Sequence, residues 1–242
     1  MALRIPRSSS VRFAAPLVAA ALAIVSGSVS AQVDEPRARV AASEFAMLVG
    51  EATAVIGGLQ DDINAGKAGP KAVPDALIQS FEQRYAKAAG KPFSEKGDEF
   101  DTELKKAFLS ALRETLTKHQ PTMAKGGQDA FVPAYFRAEL LKRFNASSKG
   151  RIQGYATMRD SELINADWAV TNVMKGSPLV PEATKLVNEG PLAATMIRKG
   201  DRLLSYTPMK LGAACVACHA RNGMQQKEGA YGGALLVEVW VR

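Results

Sequence analysis

Cysteine and histidine are scarce: the 242-residue chain has two of each. Two cysteines exclude a disulfide-stapled scaffold. With only two histidines beside them, a four-ligand zinc site is hard to assemble. Aromatic residues make up 7% of the chain, and tryptophan occurs twice. No lysine and arginine run alternates with aromatics, so the net charge of +7 does not point to nucleic acid. No internal repeat is present. What remains is ordinary globular composition, 47% hydrophobic and 23% charged, in a chain long enough to bury a core.

The first thirty-one residues read as an address. Arg4, Arg7 and Arg12 precede an apolar run from Phe13 to Val25. Ser26-Gly27-Ser28 breaks that run, and Val29-Ser30-Ala31 follows as an A-x-A-like cleavage site. The run contains Pro16 and falls short of the roughly 20 apolar residues of a membrane span. Cleavage is therefore favoured, with retention as an anchor left open. No twin arginine is present, which favours general export. The expected layout is a signal peptide over 1–31 and one domain over 32–242. Removal of the signal lowers the net charge by its three arginines. No later segment reads as a bilayer span, so the expectation is a soluble periplasmic protein without stable membrane insertion.

The first half of the remainder has helical spacing. Phe45, Leu48, Ala52, Val55, Leu59 and Ile63 lie on one helix face, and Gly66, Gly69, Pro70 and Pro74 end it. Leu77, Phe81 and Tyr85 mark a second helix closed by Gly90. Leu104, Phe108, Leu112 and Leu116 mark a third, from about Asp98 to Lys118. Phe131, Ala134, Ala138 and Leu141 mark a fourth, with Pro133 in its first turn. After Gly150 the texture changes. Arg151–Thr157 is strand-like, and a small helix around Ala166–Met174 carries Trp168. Ala193–Ile197 and Arg202–Thr207 flank a hairpin turn at Lys199-Gly200-Asp201. Leu235, Val237, Val239 and Val241 alternate with Leu236, Glu238 and Trp240 as a closing strand. The predicted fold is α+β: a helical part over about 36–145, then a small antiparallel sheet over about 150–242.

One motif carries chemistry. Cys215-Val216-Ala217-Cys218-His219 is C-x-x-C-H. In haem attachment two thiols add to the two vinyl groups, and the adjacent imidazole ligates the iron. On a helical turn the cysteines at i and i+3 share one side. A redox C-x-x-C is expected early in a βαβ unit, at a helix start, and this one is late in the chain. A structural disulfide beside a histidine is the plain alternative. Zinc would need two more good ligands, and only His119 remains. With an export signal ahead of it, the motif points to one covalently attached haem c. Cys215 and Cys218 would form the thioethers, and His219 would be the proximal iron ligand.

The sixth iron ligand is open. Met224 is five residues from His219, a reach of at most about 17 Å, nearly all of which is used in passing round the porphyrin edge. Met123, Met158, Met174, Met196 and Met209 remain, although methionine in an apolar setting is usually core filler. His119 follows the apolar stripe of its helix, where a histidine near the C-terminus is favoured by the dipole over one that ligates iron. A vacant sixth position is the third alternative. Lys199, Arg202, Lys210 and Arg221 surround the motif in sequence and suit haem propionates, an acidic redox partner or plain surface charge.

The late position of the motif, followed by Gly229, Gly232, Gly233 and a strand, fits neither mitochondrial-type cytochromes nor the four-helix cytochromes c′. From Phe131 to Val241 the chain resembles bacterial c-type haem domains with a PAS-like α+β scaffold, long catalogued as a domain of unknown function. These occur as exported proteins and as receptor sensor modules. The resemblance rests on Ala130-Phe131-Val132-Pro133-Ala134-Tyr135-Phe136, Gly154-Tyr155-Ala156-Thr157, Asn165-Ala166-Asp167-Trp168, Tyr206, the C-x-x-C-H motif and Gly232-Gly233-Ala234-Leu235-Leu236-Val237. Only C-x-x-C-H is specific by itself; the others count through their order. Asp160-Ser161-Glu162-Leu163-Ile164 replaces the family's Asn-Pro-rich loop. Some members ligate iron through a cysteine on the helix before the first strand. Phe131–Arg143 has none, so that ligation and the functions proposed for it do not transfer.

The expectation is an exported mono-haem protein for electron transfer or redox sensing, acting with a redox partner protein. The alternative is a gas-binding module for NO or CO. A haem enzyme ranks third, because no distal His and Arg pair has a readable spacing. A non-enzymatic role is expected.

Overall fold

The computed structural model describes residues 33–127, 131–148, 150–163, 165–221, 223 and 225–242, except the side chains of Ala214 and Cys218. The signal-peptide reading, Met224, Ala130 and Ile164 lie outside these residues.

Helix α1 (Glu35–Gly58) starts where the Asp34 carboxylate accepts a hydrogen bond from the Arg37 amide at 2.9 Å. It buries Phe45, Leu48, Ala52 and Ile56. The single helix expected through Ile63 is interrupted at Leu59, and a short α2 (Gln60–Asn64) follows. Gly57-Gly58 is the local reason, since two successive glycines weaken a helix. α3 (Pro74–Ala89) opens on a proline and stops at Gly90, whose φ of 65° only glycine adopts without strain. α4 (Glu99–Lys125) is capped by Asp98 and runs past the expected end at Lys118, through Pro121, to Gly126. The extra two turns carry Met123, which is fully buried. α5 (Pro133–Ser147) buries Phe136, Leu140, Leu141 and Phe144.

α1 is also long and apolar enough, by length and composition, to cross a membrane, with a mean hydropathy of 1.4. This corrects the expectation that no segment after the N-terminal run has that character. In the structure its apolar face forms the core. Phe45 packs on Phe144 at 4.3 Å between ring centroids and meets Phe108 edge-on at 6.1 Å.

Four strands form one antiparallel sheet: β1 (Ile152–Thr157), β2 (Thr195–Lys199), β3 (Arg202–Lys210) and β4 (Tyr231–Trp240), in the order β1-β4-β3-β2. β2 and β3 form the expected hairpin, with Gly200 at φ 59° in the turn. In β4 the alternation is there, but both faces are buried. Leu235, Val237, Val239 and Val241 join the core under the long helices, while Ala234 and Leu236 face a second apolar cluster. That cluster is supplied by α6 (Val170–Val173) and α7 (Val180–Glu189). α7 was not anticipated from the sequence. Ala183 and Val187 step by four in it, Pro181 sits in its first turn and Gly190 ends it at φ 62°. The chain is thus mixed α+β with a helical first half.

The long helices lie close on β1. A Cβ at Gly154 would fall 2.4 Å from Phe45 Cε1 and 2.7 Å from Leu141 Cδ2, so only glycine fits. On its unpaired side Gly154 is satisfied by Asn145 of α5. The Gly154 amide donates to Asn145 Oδ1 at 2.8 Å, and Asn145 Nδ2 donates to the Gly154 carbonyl at 2.9 Å. This fixes α5 against the middle of β1, whose C-terminal end, Ala156 and Thr157, lines the cavity described next.

Candidate functional site

The C-x-x-C-H motif lies on helix α8 (Ala213–Arg221), within the connection from β3 to β4. The base of that connection is closed by two backbone hydrogen bonds, Leu211 N–H to the Ala230 carbonyl at 2.9 Å and Gly229 N–H to the Leu211 carbonyl at 2.8 Å. Gly232 lets Leu211 sit close, since a Cβ there would fall 2.6 Å from Leu211 Cδ2. The helix is therefore carried on a loop tied at its root to two neighbouring strands.

Cys215 and His219 are one turn apart on α8 and line the same cavity, of about 300 Å³. Cys215 is half-buried and not in a disulfide. Cys218 lies on the same helix, but its side chain is outside the described set. His219 Nδ1 is hydrogen-bonded to Gln226 Oε1. An amide oxygen can only accept, so Nδ1 carries the proton and Nε2 is the nitrogen left with a lone pair for a ligand.

Other walls come from α5 (Pro133, Arg137), the end of β1 (Thr157, followed by Met158) and Trp168, and a polar wall comes from Thr53 of α1 and Gln60, Asp61 and Asn64 of α2. Trp168 is held by its carbonyl, which accepts from Thr157 Oγ1 at 2.6 Å, and by Tyr135, which meets its ring edge-on at 5.6 Å. Asn165 turns the chain ahead of it by accepting from the Asp167 amide at 2.9 Å. The cavity volume is at the lower end of those that hold organic ligands.

Of the methionines proposed as a sixth ligand, Met158 lines this cavity. Met123 and Met174 are buried in the two apolar clusters, and Met196 and Met209 pack against the first. His119 does not line the cavity. It stacks on Phe131 at 4.6 Å, and its Nε2 is 3.8 Å from Glu139. Burial lowers its pKa. Because α4 continues to Lys125, His119 is not at the helix terminus, and ring stacking rather than the dipole accounts for its place.

The four cations near the motif in sequence divide. Lys210 and Arg221 line the cavity. Lys199 pairs with Glu182 at 2.8 Å. Arg202 lies over the Trp240 ring at 4.2 Å and 3.3 Å from Glu238. These two belong to the hairpin end of the sheet.

Two residues of the site had no sequence signal that singled them out. Gln226 sits in a polar loop without periodicity. Arg137 lies between the buried Phe136 and Leu140 and reads as a surface position of α5. In the structure Arg137 Nε is buried without a hydrogen-bond partner, and burial pushes the guanidinium pKa down to about 10, against the opposing pull of Cys215.

Among the described residues no three His, Cys, Asp or Glu side chains gather to hold a metal ion. A porphyrin brings four nitrogens of its own and needs only an axial ligand. The half-buried thiol and the oriented imidazole one turn apart, the Trp168 and Met158 walls and the orphaned Arg137 Nε fit a flat apolar group that carries acids. No protein-family model matches the chain, and neither a curated protein nor a solved structure is detectably similar to it.

Proposed function

We propose that this protein is an exported, single-haem c-type protein that transfers electrons or senses redox state together with a partner protein in the periplasm. The observation that carries the reading is the face of α8, where Cys215 and His219 open onto one cavity and Gln226 holds the imidazole by Nδ1. Cys215 and Cys218 would hold the haem as thioethers, and His219 Nε2 would bind its iron. A haem so held supplies a one-electron iron couple. The chain's own contribution is to fix the imidazole, exclude bulk water with Trp168 and the end of β1, and surround the acidic groups with cations. The coarse α+β fold agrees with the PAS-like scaffold that the resemblance implies.

Met158 separates this reading from its alternative. If the Met158 thioether held the iron as well, the site would suit electron transfer. If Met158 does not ligate, the free position suits NO or CO. Expression with a c-type maturation system tests the parent reading. Haem should remain with the wild-type chain on a denaturing gel and be lost from the Cys215→Ser/Cys218→Ser double variant. Retention by the double variant would contradict it.

A further inference from the structure

Arg137 is the only charged residue among those of α5 that line the cavity. No carboxylate pairs with it among the described residues, and its Nε is buried without a partner. Lys210 and Arg221 line the same space, and Asp61 is the one acidic residue among the described ones that does. Among the described residues, three cations and one carboxylate thus line the cavity beside Cys215 and His219. A guanidinium nitrogen shut off from water and left unpaired is costly, and in half-buried Arg137 that nitrogen is Nε. Its planar fork matches the two oxygens of a carboxylate. The depressed guanidinium pKa is what an anion in contact would reverse.

We infer that Arg137 is a carboxylate anchor, which takes a propionate of the macrocycle held by Cys215, Cys218 and His219. The inference rests on the haem reading, because the group chosen for the thiols and the imidazole is itself a dicarboxylate and brings the missing anion with it. A small free anion from solution has the same chemistry, and it is the competing source.

The haem-loaded full chain is compared with its Arg137→Gln and Arg137→Lys variants. The propionate bending band of the resonance Raman spectrum reports hydrogen bonds to the propionates. It should shift in Arg137→Gln and return towards the wild-type position in Arg137→Lys. Azide titration of the ferric protein is the second arm, and its affinity should change by less than about tenfold, or 1.4 kcal/mol. A propionate band indifferent to Arg137, with azide binding weakened by about tenfold or more, would assign the arginine to a free anion and overturn the anchor. No change in either would overturn it as well. A chain without haem is seen in its intact mass before any spectrum is taken, and that result removes the parent reading and the anchor together. A loaded chain with an unmoved band removes the anchor alone.

Discussion

His219 Nδ1 donates a hydrogen bond to the side-chain oxygen of Gln226, seven residues further along the loop that leaves α8. Acceptors of this kind fix the tautomer of a ligating histidine and raise its basicity. If the site holds haem as proposed, replacing Gln226 with Glu strengthens the acceptor and should lower the midpoint potential. Replacing it with Leu removes the acceptor and should raise the potential. A shift of roughly 40 mV in each direction is expected, the one-electron equivalent of about 1 kcal/mol. Potentiometric titration of the two variants checks this, and shifts of the same sign in both would contradict it.

Met158 bears on function most directly. It lines the cavity that Cys215 and His219 share. The electron-transfer reading expects the reduced wild-type protein to bind CO slowly, because an internal thioether must leave first. Met158→Ala should bind it rapidly and stoichiometrically. Rapid binding by the wild type, unchanged in the variant, would put the gas-binding role first.

Gly154 should not tolerate a side chain. A methyl group there would lie 2.4 Å from Phe45 Cε1 and 2.7 Å from Leu141 Cδ2, both in the packed core. Gly154→Ala should destabilise the fold by about 1–3 kcal/mol, the usual cost of overpacking. Denaturant unfolding followed by circular dichroism measures it.

A buried charge network should set the acid limit of stability. Tyr85 donates to Glu44 at 2.6 Å, and Lys105 is 3.0 Å from both Glu44 and Asp101. Burial alone pushes the Glu44 carboxyl up. The hydrogen bonds from Tyr85 and Lys105, with the Lys105 and Lys91 charges, outweigh burial and hold it below its usual value. A carboxyl lowered in the folded state contributes stability above its unfolded pKa, near 4.3, and loses that contribution as pH falls through the folded value. Thermal unfolding between pH 7 and pH 3 should therefore show a smaller acid loss in Glu44→Gln than in the wild type. An equal loss would place the acid sensitivity elsewhere.

Much of this fold was legible from spacing. The runs through Phe45, Phe81 and Phe108 each became a helix, because a stripe at intervals of three and four leaves a chain few other ways to bury it. The fourth run, Phe131, Ala134, Ala138 and Leu141, marks a helix but not its buried face, which is Phe136, Leu140, Leu141 and Phe144. Helix ends were less legible. Met123 continues the stripe of α4 seven residues after Leu116, past Pro121, which reads locally as a stop. α7 is legible as well, since Val180, Ala183, Leu186 and Val187 lie at helical spacing between Pro181 and Gly190, and only its length of 10 residues weakens the signal. The motif itself was plain, since attachment chemistry dictates its spacing. Its supporting residues were not. Gln226 meets His219 through a loop, and Arg137 and Met158 arrive from α5 and the end of β1, so their places depend on tertiary packing.

The central claim is that Cys215 and Cys218 carry one haem. The intact mass of the purified protein, made with a c-type maturation system and measured under denaturing conditions, tests it most directly. The account predicts the mass of the chain from Gln32 plus one haem, and the mass of the same chain alone for Cys215→Ser/Cys218→Ser. A wild-type mass equal to the bare chain would contradict it.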